Sequence, residues 1–510
     1  MLRINRAVTA AMAAIASLVL CSPAFADGDL KKVNHIIIVM QENHSFDNYF
    51  GVLSYAPGSP YHGGNPSCAS TDHQCVDGLR CGVVGGVFSC ANANLDDDGS
   101  TVRAFKATTR CVAPDLDHDW VGSHFEINFT SPNSTLTNPL NNGFVRQNDV
   151  TEQVDNGESP TDDQTMSYYN QDDLPFYYGL AQTFAISDRQ FSSLIGPTFP
   201  NRSYLMAATS FGHVTTNDSV PPLLGYKPIT GTIFDKLDRY GISWADYYED
   251  LPQDASFRPY DSAHNLPLAT FFQQAGGVGT LPHVVFVDPN FGSTGTGSED
   301  DEHPPTDIQR GQYHVSNVIN AVRNGPHWTD SVIFVLFDEH GGFYDHVRPL
   351  RAPQNGTRTP DGVFPGQCED LSLPPFSKLP GGGAECSWNF QSSTDTSVKD
   401  AETLCPALAS NPTGPFPASC AAFDQLGVRV PLIAVSPFSK PAYVSHTVGD
   451  HTSMLAMIEK RFLSNSTTTL HLTRRDAFAN DLEDLFDFDN SPSLNAVVGS
   501  AQPPVNDCTP

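Results

Sequence analysis

Basic residues are scarce in this chain. Its 510 residues hold 28 Lys and Arg against 57 Asp and Glu, a formal charge of −29. That shortage excludes a nucleic-acid partner, because a phosphate backbone is held chiefly by Lys and Arg. It equally disfavours a patch for anionic membranes. One small anionic group in a local pocket is still compatible with it. Long apolar runs are also missing, so no transmembrane segment is expected. Charged residues are only 17% of the chain, yet 39% are apolar, with 32 Phe and 16 Tyr, which excludes a disordered chain. Several signatures are absent as well. There is no G-x-x-x-x-G-K-[ST], no G-x-S-x-G, no H-E-x-x-H, and no G-x-G-x-x-G after a strand. Nucleotide-switch, serine-hydrolase and zincin readings thereby lose their usual support.

What is present begins with an export signature. Arg3 and Arg6 precede an apolar run from Val8 to Leu20, and Ala24-Phe25-Ala26 forms an A-x-A cleavage site. A signal peptide over 1–26 is expected, giving a secreted or periplasmic protein by the general secretory route. Cys21 would leave with it. The remaining Cys68, Cys75, Cys81, Cys90, Cys111, Cys368, Cys386, Cys405, Cys420 and Cys508 are even in number, as in exported disulfide proteins. Their pairing is not readable from spacing, and no C-x₂-C pair supports zinc.

Short apolar runs predict strands at His35–Met40, Thr183–Ile186, Ile242–Tyr247, Val284–Val287, Val332–Phe337 and Val430–Val435. Helices are expected at Asp172–Ala181, Pro200–Ala208, His314–Arg323 and Asp450–Phe462. Such alternation predicts an α/β sandwich with a mostly parallel sheet. One catalytic domain over 27–490 is expected, with Cys-rich loops at 52–111 and 350–425 and a polar tail at 491–510. The oligomeric state is not legible.

The chemistry gathers at expected strand ends, where open α/β sheets bind ligands. The first strand runs into Gln41-Glu42-Asn43-His44-Ser45-Phe46-Asp47, and Val332–Phe337 runs into Asp338-Glu339-His340-Gly341-Gly342. A lone acid at such a place caps a turn. Two clusters of carboxylate, amide and imidazole can instead converge on one hard cation. Gly196-Pro197-Thr198-Phe199-Pro200-Asn201-Arg202 sets Thr198 at a helix start, either as a plain cap or where free N–H groups favour a phosphate. Among 17 histidines, His118, His264, His303, His346 and His451 lie in turn-rich or acidic settings suited to orienting phosphate or protonating a leaving group.

Together these segments resemble the bacterial phospholipase C and acid phosphatase A phosphoesterase family, which includes the plant non-specific phospholipases C. Gln41–Gly51 resembles its opening signature and Asp338–Val347 its second, with Gly196–Arg202, Glu302-His303-Pro304-Pro305 and Asp450-His451-Thr452-Ser453 as further matches. The resemblance covers roughly residues 33–465. It implies an alkaline-phosphatase-like three-layer α/β/α core. It implies one divalent metal ion, calcium, zinc or similar, at Glu42, Asn43, Asp338 and Glu339. Thr198 falls at the nucleophile, and His118, His264 and His303 at phosphate-pocket histidines. Arg202, His346 and His451 are expected at the substrate. Sulfatases carry Cys or Ser in a similar frame and convert it to an aldehyde, a route closed to Thr198. The implied activity is a metal-dependent phospholipase C acting on a phosphate-ester substrate through a phosphothreonine intermediate. Two alternatives remain open here: a broad-specificity acid phosphatase, and an inactive binding protein on the same fold.

Overall fold

A computed structural model describes residues 29–365, 405, 420–504 and 508, apart from 65–66, 129, 131–138, 152–163, 215, 217–225, 227, 258–261, 293–298, 354–358 and 465–468. The expected signal peptide, Cys21, Cys368, Cys386 and most of 350–425 lie outside the described residues.

The main sheet has eight strands. In chain order they are β1 (His35–Gln41), β2 (Ala185–Ser187), β3 (Trp244–Tyr248), β4 (Asn265–Pro267), β5 (Val284–Val287), β6 (Ser331–Phe337), β7 (Leu432–Val435) and β8 (Val444–Ser445). Their spatial order is β4-β3-β5-β1-β6-β7-β2-β8. Only β7 runs against the rest, pairing antiparallel with both β6 and β2. The mostly parallel sheet expected from the sequence is therefore present. β4 and β8 escape a periodicity reading because each is only two or three residues long. The strand expected from Thr183 starts later, since Thr183 ends a helix.

The helices used below are α1 (Phe46–Phe50), α2 (Trp120–Ile127), α3 (Pro175–Thr183), α4 (Thr198–Ala207), α5 (Ile233–Tyr240), α6 (Leu268–Ala275), α7 (Ile308–Arg323) and α8 (Thr452–Phe462). β1 shows why they form two layers. Its side chains alternate between faces. Ile37 and Val39 pack with α3, α6 and α7, through residues such as Leu180, Phe271 and Ile319. Ile36, Ile38 and Met40 pack with α4, α5 and α8, through Leu205, Phe234 and Leu455. All of β1 is buried, so the strand reads as a continuous apolar run. Each such Ile stabilises the fold by about 1.5–3 kcal/mol. Ile37→Ala would cost about 2–5 kcal/mol through the cavity it leaves.

Local signals fix the helix ends. Asp307 accepts from Gln309 N at 3.0 Å and starts α7 six residues before the expected His314. α4 starts at Thr198, two residues before the expected Pro200. α8 starts at Thr452, two residues after the expected Asp450, with His451 as its cap residue; Asp450 accepts from Thr452 N at 2.8 Å.

The 52–111 loop is stapled by Cys68–Cys75 and Cys81–Cys90, and Cys405 joins Cys420 in the later loop. The expected polar tail is strapped down. Ala501 N donates to Ser316 of α7 at 2.9 Å, Trp328 Nε1 donates to Leu494 O at 3.2 Å, and Cys508 is bonded to Cys111. No helix among the described residues is long and apolar enough to cross a membrane.

Candidate active site

β1 and β6 are neighbours in register, with Gln41 opposite Phe337. The next residues on each strand therefore leave the sheet side by side. Asp338 N donates to Gln41 O at 3.1 Å, and Asn43 N donates to Asp338 Oδ1 at 3.3 Å. Two acid-bearing segments far apart in sequence thus share one strand-end crevice. The Gly-Gly pair after them has a steric reason. Gly341 has φ +59°, and a Cβ there would lie 2.2 Å from Asn43 O. At Gly342, φ is +72° and a Cβ would lie 2.6 Å from Leu116 Cβ. Both positions demand glycine so that three loops can meet.

The crevice is dry and acidic. Glu42, Asn43, Asp301, Asp338 and Glu339 are all buried. Arg202 is buried among them, with its guanidinium 3.0 Å from Glu42 Oε1 and 3.0 Å from Asp338 Oδ2. Burial, and then crowding by Glu42 and Glu339, pushes the Asp338 carboxyl well above the usual range despite Arg202. Asp301 is likewise pushed well up by burial and Glu42. His118 lies with Nε2 3.9 Å from Glu339 Oε1. Burial lowers its pKa, but Glu339 and Asp115 outweigh burial and raise it to about 10. These four buried carboxyls face Arg202, His118 and His340, whose Nδ1 lies 3.4 Å from Glu339 Oε2.

The polar atoms of this crevice are left unsatisfied. Asn43 Oδ1 and Nδ2, Glu339 Oε1 and Arg202 Nη1 are buried with no hydrogen-bond partner. Buried polar atoms are rarely left so, and leaving them costs about 1–3 kcal/mol each. An oxygen-rich donor set with orphaned atoms, crowded enough that burial and mutual repulsion hold Asp338 and Asp301 toward their protonated forms, fits a hard divalent cation.

Thr198 is the first residue of α4. Arg202, four residues on, shares its helix face. Arg202 grips Glu42 and Asp338, so Thr198 lies one helical turn from the residue that holds those carboxylates. Asn201 shapes the preceding loop, donating to Gly196 O at 2.8 Å and accepting from Leu194 N at 3.0 Å.

His118 and His303 meet here as expected. Their rings lie 5.6 Å apart, edge to face, and Asp115 stands between them, 4.0 Å from His118 and 3.7 Å from His303. Asp115 was not singled out in the sequence, although its place three residues before His118 was a usable signal.

Other expectations need correction. His264 is at the wrong end of the sheet. Its Nδ1 lies 2.9 Å from Trp244 O, and its ring stacks on Trp244 at 4.1 Å. Trp244 is level with Val284, and Val284 with Ile36, six residues before Glu42. That is about 20 Å along the strands. Arg202 grips Glu42 and Asp338 while its Nη1 stays without a hydrogen-bond partner. His451 is fully buried, and its Nε2 donates to Asp338 O at 2.6 Å. Burial lowers its pKa to about 4, so it is a neutral donor that positions the Asp338 main chain. His346 is clamped between Asp47, 2.7 Å away, and Asp77, 3.2 Å away. Glu302 is held by Tyr49, Tyr177 and Gln41, so only its neighbour His303 faces the crevice.

The family model described as "Phosphoesterase family" matches residues 33–463, which takes in every segment of this crevice. The chain belongs to the phosphoesterase family.

Among curated relatives, this phosphoesterase is similar to non-specific phospholipase C3 of Arabidopsis thaliana, with 27% identity over 88% of this chain and 73% of that one. It is similar to phospholipase C B of Mycobacterium tuberculosis, with 28% identity over 95% of this chain and 84% of that one. Among solved structures, murine ectonucleotide pyrophosphatase / phosphodiesterase 5 overlays at a TM-score of 0.32 and 10% identity, covering 61% of this chain and 94% of that one. An overlay that loose adds nothing to the assignment. The phosphoesterase is a hydrolase acting on phosphoric ester bonds.

Proposed function

We propose that this phosphoesterase is a metal-dependent phospholipase C that cleaves phospholipid phosphodiesters through a phosphothreonine intermediate. The observation that carries the proposal is the placement of Thr198 at the start of α4, one turn from an Arg202 that bridges Glu42 and Asp338. Glu42, Asn43, Asp338 and Glu339 would hold a divalent cation, which when bound supplies charge neutralisation and acidifies a nearby hydroxyl.

The protein's own groups do the rest. The free N–H groups at the start of α4 attract the phosphoryl oxygens toward Thr198. Thr198 Oγ1, its proton passed to solvent water, forms a bond to phosphorus as the bond to the diacylglycerol oxygen breaks. His303, whose side chain is 32% exposed at the crevice mouth, gives that oxygen its proton. Water then attacks phosphorus, Thr198 departs, and phosphocholine is released. His118, held by Leu116 O at 2.7 Å, keeps a positive charge toward the phosphoryl group. The names of both curated relatives support a diester substrate over a monoester.

The test compares phosphocholine release from phosphatidylcholine with phosphate release from a simple monoester, for the parent and Thr198→Ala. Preferential diester cleavage that vanishes in the variant is expected. Faster monoester cleavage would replace the reading with an acid phosphatase, and near-parental turnover by Thr198→Ala would remove the nucleophile.

A further inference from the structure

An acidic enzyme for lipid needs a way onto a lipid surface, and its net charge works against anionic ones. Outside the crevice, one feature meets that need. Strands Cys81–Val84 and Val87–Cys90 form a hairpin, closed at its base by Cys81–Cys90 and at its tip by Gly85-Gly86. Both tip glycines have positive φ, 61° and 86°, as a tight two-residue turn requires. The stretch from Cys81 to Ala91 contains no charged residue.

Its side chains point outward on both faces. Val84 pairs with Val87 and Val83 with Phe88. Val83 and Val84 are each 72% exposed, Val87 66% and Phe88 41%. Phe88 turns back edge to face on Tyr55 at 5.4 Å, while Val83, Val84 and Val87 at the tip stand out from the protein and add nothing to the core. Contiguous exposed apolar surface marks an interaction site. Phe88 also walls a pocket of about 710 Å³, shared with Tyr55, Phe105, Tyr168 and Tyr178.

The base of the hairpin is packed with segments that lead into the active site. Leu79, Cys90 and Ala104 at its base share one apolar cluster with Ile195 and Tyr344. Ile195 leads into the Thr198 turn, and Tyr344 follows Gly342. Cys81 N donates to Tyr55 Oη at 3.0 Å, and Leu79 N to Gly51 O at 2.7 Å, which ties the hairpin to the segment leaving α1.

We propose that this hairpin is an interfacial anchor that inserts into zwitterionic phospholipid surfaces and seats the crevice against them. Charge selects the occupant. Exposed Arg80, Arg103 and Lys106 flank the hairpin, but Asp96, Asp97 and Asp98 lie close by on the adjoining ribbon. That mixture, on a chain of charge −29, suits a surface with no net charge and repels an anionic one. The inference rests on the phospholipase reading and adds to it how the enzyme reaches its substrate.

The experiment sediments the full-length protein with phosphatidylcholine vesicles, and with vesicles half phosphatidylglycerol. It compares the parent, Val84→Asp/Val87→Asp, and the control Val278→Asp, which alters an exposed Val beyond α6 at the other end of the sheet. The double variant should lose vesicle binding by roughly tenfold or more. Its turnover of vesicle lipid should fall with it, while cleavage of a soluble phosphocholine ester stays within about twofold of the parent. The control should bind like the parent, and the anionic vesicles should bind less. The anchor is overturned if the parent ignores phosphatidylcholine vesicles, or if the double variant binds them like the parent. It is overturned too if the variant only converts a dimer to a monomer. A parent that binds vesicles but releases no phosphocholine leaves the anchor standing and removes the phospholipase reading.

Discussion

Two buried acidic clusters grow from the same two signatures, and they are finished differently. One is the crevice of Glu42, Asp301, Asp338 and Glu339. The other joins Asp47 and Asp345, a few residues further along those signatures, to Asp77 and Asp188 from elsewhere in the chain. In the second, Arg429 is fully buried and lies 3.1 Å from both Asp345 oxygens and 3.0 Å from Asp47. It also donates to Asp77 O at 2.8 Å and Asp188 O at 3.0 Å. Arg189, His346 and His446 complete the set, giving four cationic groups for four acids. In the crevice, the four carboxyls face Arg202, His118 and a His340 shared with Glu126, and Asn43 Oδ1 and Nδ2, Glu339 Oε1 and Arg202 Nη1 have no hydrogen-bond partner. Saturation marks scaffold, and orphaned groups mark a place built for something else.

The hardest test of that contrast is Thr198→Ala, which should lower kcat by about four orders of magnitude with the melting temperature unchanged. Breaking the saturated cluster should do the reverse. Arg429→Met leaves Asp47 and Asp345 buried without their partner, so unfolding free energy should fall by about 3–5 kcal/mol. The folded fraction, measured by active-site titration, should keep its kcat.

A third test uses pH. Burial lowers the His346 pKa, but Asp47 and Asp77 outweigh it and raise it to about 9. Its stabilising charge is therefore fully present below the unfolded value of 6.5 and is lost as pH rises through 9. Denaturant unfolding between pH 6 and pH 10 should show up to about 3 kcal/mol of that loss, and His346→Gln should flatten the profile. The smallest effect concerns the crevice. Glu339→Gln keeps an acceptor for Gly341 N but gives up its charge beside His118 and His340, so stability without added metal should fall by about 1 kcal/mol. Added divalent cation should stabilise the parent by about 2.7 kcal/mol at a hundredfold excess over Kd, and the variant far less. An equal response in both would remove Glu339 from the cation set.

Much of this was legible in the linear chain. The apolar runs of β1 and β6 placed both strands, and the polar residues that follow placed Glu42, Asn43, Asp338 and Glu339 at strand ends. Local patterns survive because strand period and helix capping depend on near neighbours. The misreadings came from distance. His264 looked like His118 or His303 in sequence, yet Trp244 holds it at the far end of the sheet. Asp450 and His451 are adjacent, yet one accepts from Thr452 N and binds Arg475 while the other supports Asp338.

The sequence by itself determined the acidic, cysteine-bearing α/β chain, its family, and which side chains stand at the ends of β1 and β6. Only the tertiary structure decided which acids were neutralised and which were left in want of charge. Arg429 reaches Asp345 across 84 residues and Asp47 across 382. Arg202 reaches Asp338 across 136. Ionic pairing in a dry interior is set by which loops the sheet brings within a few ångströms, and no local spacing encodes that.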